Sequence, residues 1–173
     1  MTDHNAAAQQ GVSPDRYRLI PRTLIFLTRD GQVLLLKGAA HKRLWANLYN
    51  GVGGHVERGE DILASARREL AEETGLQEAQ LWLCGVITVD TGGNTGIGIY
   101  VLRGELAADA SPLPESQEGT LEWVPFEAVN SLPLVEDLYV LLPRVLAMER
   151  GQPPFIAHLR YDGQGRIQVK FAE

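Results

Sequence analysis

The chain has 173 residues, 45% of them hydrophobic and 22% charged, which is the size and composition of one globular domain with a buried core, not of a disordered or collagenous chain. Lys and Arg number 16 against 22 Asp and Glu, a net charge of −6, so the basic surface that coats nucleic-acid polymers is lacking. A single cysteine, Cys84, rules out an intrachain disulfide, and no apolar run reaches the ~18 residues of a spanning helix, so a membrane protein is not expected. The start, MTDHNAAAQQG, carries no apolar signal region, and the expectation is a cytoplasmic protein.

In chain order, residues 1–15 are small and polar with the breakers Gly11 and Pro14, which predicts a flexible arm ahead of one domain over 16–173. From Arg22 the sequence turns β-like, and the runs TLIFLT and QVLLLK flank Asp30-Gly31, the signal for a two-residue hairpin. A cationic loop with His41, Lys42 and Arg43 leads to NLYNGVGGHVERGE, whose glycines allow close backbone approach in a tight loop. Asp61 to Thr74 is predicted as a helix, ended by Gly75 as a left-handed cap. LWLCGVITV and GIGIYVLRGE are predicted strands, AADASPLPESQEG a loop, LEWVPF a strand, Leu134 to Met148 a helix, and FIAHLRY with RIQVKF a last hairpin around DGQG. This order predicts an α/β fold with a mixed sheet and helices packed on it.

The chemistry concentrates on the first helix. At about 100° per residue, Ile62, Leu63, Ala66 and Leu70 form one apolar stripe, and Glu69, Glu72 and Glu73 fall on or beside it. These acids are spaced i, i+3 and i+4, where like charges repel. Glu72 and Glu73 also occupy the last turn, where the helix dipole disfavours anions. Local rules broken together mark a functional site, and clustered carboxylates call for a divalent cation held by hard oxygens. Mg2+ fits best, with Mn2+ as the alternative; the bland alternative is a solvated helix end neutralised by Arg67 and Arg68. From Glu57 to Glu73 six acids face three arginines, so the charge deficit is local, and a metal-filled patch would attract an anionic ligand.

Gly54, Glu60 and the run Arg68-Glu69-Leu70-Ala71-Glu72-Glu73-Thr74-Gly75-Leu76 together resemble the complete Nudix box. The resemblance implies an α/β/α sandwich with a mixed β-sheet between helices, and a metal-dependent hydrolase of nucleoside diphosphates linked to another group. By position it implies Glu72, Glu73 and the Gly53 carbonyl as metal ligands, Glu69 as ligand or base, Glu60 and Arg68 as their supports, and Glu118 as a further glutamate that binds metal or activates water. Outside the box, VLLLK, YNGVGGHVE, Glu136-Asp137 and FIAHLRYDGQGRI are similar to the oxidised-purine nucleoside triphosphatase branch of the family. That likeness implies a substrate such as 8-oxo-dGTP, with Asn50, Glu136 and Asp137 on the purine edge, a role their donors and acceptors suit. Lys37, or Lys42 and Arg43, is expected to receive the triphosphate tail. The branch's stacking aromatics are replaced by Leu134, Val89 and Thr91, leaving Trp45, Tyr49 or Trp123 to stack on a base.

Rival expectations remain within this resemblance. ADP-ribose and dinucleoside polyphosphate hydrolases carry a Pro or a Tyr beyond the box, where this chain has TGGN. Fold relatives that are isomerases need a catalytic cysteine, and Cys84 stands in an apolar run. A noncatalytic nucleotide sensor of the same fold, which often lacks the box glutamates, is the alternative from another class. A monomer or a homodimer is expected, with a small nucleotide as its partner.

Overall fold

The computed structural model describes residues 7, 9–77, 79–106 and 118–173. Most of the expected Pro- and Ser-rich loop, at 107–117, and residues 1–6 and 8 of the expected arm lie outside the described residues. Eight strands among the described residues form one sheet: β1 (Arg18–Arg29), β2 (Gln32–Gly38), β3 (Tyr49–Asn50), β4 (Gln80–Asp90), β5 (Thr95–Glu105), β6 (Gly119–Pro125), β7 (Phe155–Tyr161) and β8 (Ile167–Phe171). Among the described residues helices α1 (Ile62–Thr74) and α2 (Leu138–Ala147) accompany the sheet, with a 3-10 turn over Phe126–Ser131. β1 with β5 and β4 with β7 run parallel, and the other pairs run antiparallel, so the sheet is mixed as expected.

Side chains alternate across a strand, and both faces of this sheet are covered. Ile25, Leu27, Leu34 and Leu102 enter a layer with Ala66 and Leu70 of α1. Phe26, Val33, Leu35 and Val101 enter the opposite layer with Leu138, Leu141, Leu142 and Val145 of α2. Coverage on two sides is why TLIFLT and VLLL are continuous apolar runs, and it makes the architecture an α/β/α sandwich. Leu142 is fully buried, and Leu142→Ala is expected to cost about 2–5 kcal/mol, measured as a lower urea midpoint at an unchanged slope.

Asp30 and Gly31 have φ of 44° and 73°, the two positive angles of the expected hairpin turn. β1 and β2 pair only beside that turn, at Thr28–Val33 and Arg29–Gln32. Beyond it β2 pairs with β6 and β3, and the glycine-rich chain fills the edge of β1 that β2 leaves. Ile25 and Val52 exchange backbone bonds of 2.7 and 3.1 Å, Thr23 N donates to the Gly54 carbonyl at 2.9 Å, and Val56 N donates to that of Pro21 at 3.1 Å. Gly51 makes the crossing possible, since a Cβ there would lie 2.8 Å from Leu24 Cδ1 and 2.9 Å from the Ile25 carbonyl oxygen.

Three expectations are corrected. β1 begins at Arg18, ahead of the Arg22 expected, because parallel pairing with β5 extends over its length. α2 begins at Leu138, later than Leu134, because Tyr49 N donates to the Pro133 carbonyl and Val135 N donates to that of Tyr49, which holds 133–135 extended. Leu63, assigned to the apolar stripe of α1, is 39% exposed, while Ser65 and Thr74 are buried; Ile62, Ala66 and Leu70 carry the stripe.

Candidate active site

α1 starts one residue after the Asp61 expected, which caps it, and ends at Thr74 before the expected cap Gly75. The Asp61 side chain accepts from Ala64 N at 2.8 Å, and Gly75, at φ 71°, donates its N–H to the Ala71 carbonyl. The helix lies over the β1 edge that carries the glycine loop, so its inward acids meet that loop. A Cβ on Gly54 would stand 2.3 Å from Glu69 Oε1, which shows that the Glu69 carboxylate occupies the space left by the missing side chain. Glu73 reaches one residue further, its Oε2 accepting from Gly53 N at 3.2 Å. Glu72 points outward and is exposed.

Arg68 is the hub of the cluster. It donates to both oxygens of Glu60, from Nε at 2.7 Å and from Nη2 at 3.0 Å. Nη1 donates to Glu69 at 2.9 Å and to Glu72 at 3.4 Å, and Nη2 also reaches the His55 carbonyl at 3.0 Å. A bidentate pair fixes a planar guanidinium in orientation as well as charge. The Arg68 bonds and the Glu57 amide hold the Glu60 carboxyl down at about 2. Glu60 thus orients Arg68, and Arg68 orients Glu69.

Glu118 joins from β2's other neighbour: its carbonyl accepts from Ala39 N at 3.1 Å, and its carboxylate is ion-paired to Lys42. Its charge is felt at Glu73. Burial pushes the Glu73 carboxyl up to about 7, the charges of Glu69 and Glu118 push the same way, and the Gly53 amide and Lys42 oppose them. Among the described residues no three acidic, His or Cys side chains converge at metal-ligating spacing; Arg68 is bonded to three of the carboxylates. The donors are carboxylate and carbonyl oxygens, the set that a hard divalent cation takes. A buried acid crowded by others is the charge that such a cation neutralises, so the residues present fit one.

Of the residues expected to meet a nucleotide, Lys37 and Asn50 lie in the sheet. Lys37 pairs with Tyr49, and Asn50 with Leu36, across β2 and β3. The Asn50 side chain accepts from Gly51 N at 2.8 Å. Glu136 and Asp137 precede α2; Glu136 accepts from Ile167 N at 3.1 Å, and burial pushes the Asp137 carboxyl up, the Glu136 charge adding. Of the expected stacking aromatics, Tyr49 is a core residue and Trp123 is stacked by Arg29, 4.0 Å from the ring centre; Trp45 is 44% exposed. Leu134 and Val89 are buried. Cys84 is fully buried and its thiol is pushed up to about 11 by burial, which suits packing and not a reactive nucleophile. Sequence reasoning missed Glu122, which accepts the Tyr49 hydroxyl at 2.8 Å; an acid in phase with the inward Val124 of LEWVPF was its signal.

Known proteins resemble this chain in sequence and in fold. Residues 18–145 match the family described as NUDIX domain. The chain is 30% identical over 146 residues to the oxidized purine nucleoside triphosphate hydrolase of Danio rerio, covering 84% of this chain and 88% of that protein. It is 27% identical, with the same coverage, to the protein of that name from Mus musculus. Among solved structures it is similar to the mutator MutT protein from Bacillus halodurans, with a TM-score of 0.70 at 24% identity over 88% of this chain and 97% of that one. With the glycine loop seated against the glutamates of α1 and this match across most of the chain, the protein belongs to the Nudix hydrolase family.

Proposed function

We propose that this hydrolase cleaves a nucleoside triphosphate, an oxidised purine such as 8-oxo-dGTP above others, to the monophosphate and pyrophosphate with Mg2+ as its cation. The observation that carries the reading is the Glu69 carboxylate lodged in the space beside Gly54, next to Glu73 on the Gly53 amide. The names of the Danio rerio and Mus musculus relatives support the substrate class. Glu72, Glu73, Glu118 and the Gly53 carbonyl would hold the cation, with Glu69 as a further ligand or as the base. When bound, the cation supplies neutralisation of phosphate oxygens and acidification of water.

The protein's own groups do the rest. Glu69, held by Arg68, accepts the proton of a water that attacks phosphorus in line with the departing pyrophosphate. Lys37 and Lys42 offer ammonium groups to the triphosphate. Asn50, Glu136 and Asp137 offer the donors and acceptors that a purine edge needs. In this reading residues 16–173 are the catalytic domain.

The alternative reading is hydrolysis of ADP-ribose or a dinucleoside polyphosphate; these substrates also present a base, so the engagement of Tyr49 and Trp123 does not discriminate between the two. A kcat/KM panel with Mg2+ over oxidised and normal purine triphosphates, pyrimidine triphosphates, ADP-ribose and diadenosine polyphosphates separates the two. The oxidised purine triphosphate is expected to rank first, and EDTA is expected to abolish turnover that Mg2+ restores. ADP-ribose in first place would overturn the substrate, and nucleotide binding without any turnover would overturn the enzyme.

A further inference from the structure

Glu122 stands where the strand pattern calls for an apolar side chain. It pairs with Leu35 across β2 and β6 and lies two residues before Val124, and both of these belong to the core layer beneath α2. Its neighbours Leu121 and Trp123 pack against the opposite layer. A carboxylate in a core-facing position is costly unless it is hydrogen-bonded, and Tyr49 supplies the bond, its hydroxyl donating to Glu122 Oε2 at 2.8 Å.

Tyr49 is only 5% exposed, and it is a junction of the fold. Its N–H donates to the Pro133 carbonyl at 2.9 Å and its carbonyl accepts from Val135 N at 3.0 Å. Across β2 and β3 it pairs with Lys37, whose ammonium lies 5.6 Å from the ring centre. Asn50 follows Tyr49 directly, and Glu136 and Asp137 follow Val135. The backbone of Tyr49 therefore ties together the two segments that carry the residues assigned to the purine, and its side chain anchors that junction to β6 through Glu122.

We propose that Glu122 is a positioning residue of the nucleotide site: through the Tyr49 hydroxyl it fixes Asn50 in register with Glu136 and Asp137. The inference rests on the reading of those three residues as the base-binding set. Glu122 acts on affinity and leaves the cluster around Glu69 in place, because α1 and the glycine loop are held by bonds of their own.

The test compares Glu122→Gln, Glu122→Ala, Tyr49→Phe and the double variant Glu122→Ala/Tyr49→Phe, with kcat and KM measured separately for the preferred triphosphate. Loss of one hydrogen bond to a charged group is expected to raise KM about tenfold in Glu122→Ala and Tyr49→Phe, with kcat changed less than about threefold. The double variant is expected to be no worse than either single one, and Glu122→Gln, whose amide oxygen still accepts, to keep KM within about twofold of the parent. A lowered melting temperature with unchanged KM in Glu122→Ala and Tyr49→Phe would overturn the proposal, leaving Glu122 a purely stabilising residue. Should Glu122→Ala fail to fold, Tyr49→Phe decides alone, since it removes one oxygen and keeps the ring in the core. Should the parent hydrolyse no nucleoside triphosphate, the functional reading fails by itself. Positioning is then decided by the amide NMR shifts of Asn50, Glu136 and Asp137 in the free protein: displaced by Tyr49→Phe they uphold it, and unmoved they sink it.

Discussion

Glu69→Gln is expected to leave the protein folded, with a melting temperature within a few degrees of the parent's, and to lower kcat by about 10²–10⁴. Glutamine has the same shape, so it still fits beside Gly54, and its amide oxygen can still accept from Arg68, as Glu69 Oε1 does at 2.9 Å. What it lacks is a charge to bind a cation and a basic oxygen to take a proton. Single-turnover rates at saturating Mg2+ and substrate, with circular dichroism to verify folding, separate chemistry from stability. A variant with the parent's kcat would remove Glu69 from the mechanism and move the base to Glu118.

Alanine at the two adjacent glycines is expected to fail in two different ways. Gly53 has φ 146°, and a Cβ there would lie 2.3 Å from the Thr23 carbonyl oxygen and 2.8 Å from its carbon. Backbone cannot move aside cheaply, so Gly53→Ala is expected to destabilise by about 3–5 kcal/mol, seen in the urea midpoint. At Gly54 the obstacle is the Glu69 carboxylate, 2.3 Å away and at the far end of a side chain that can swing. Gly54→Ala is therefore expected to melt near the parent and to lose about 10²-fold in kcat/KM through displacement of Glu69. Equal stability losses at both positions, with matching activity losses, would mean that the loop and not the carboxylate is what these glycines protect.

What the sequence made legible was local. Asp30-Gly31 announces its own turn, and Gly75 announces the end of α1, because the groups that decide these features lie within a few residues of one another. The acids of α1 stood out because they break rules set by the same helix. Features decided across the chain were hidden. β3 is two residues long and exists through its bonds to β2 and to 133–135; those bonds also delay the start of α2. Glu118 reaches the cluster because β6 pairs with β2 and brings its carbonyl to Ala39. The partners Lys42 of Glu118 and Tyr49 of Glu122 are each more than 70 residues away in sequence, separations of 76 and 73, and no spacing rule connects them.

The edge of β1 vacated by β2 has a consequence for how the site opens. The glycine loop is bonded to β1 through Ile25, Thr23 and Pro21, and β1 is paired along its length to β5 on its other side. Loops that carry chemistry are usually drawn from the least stable parts of a protein and open by local fluctuation. Here the amides of Val52, Ile25 and Thr23 belong to the sheet itself, so their exchange with solvent deuterium is expected to require global unfolding, while the amides of the cationic loop around Lys42 and Arg43 exchange by local opening. The acids of α1 thus face a loop whose backbone is expected to open only with the sheet, beside a cationic loop expected to open on its own.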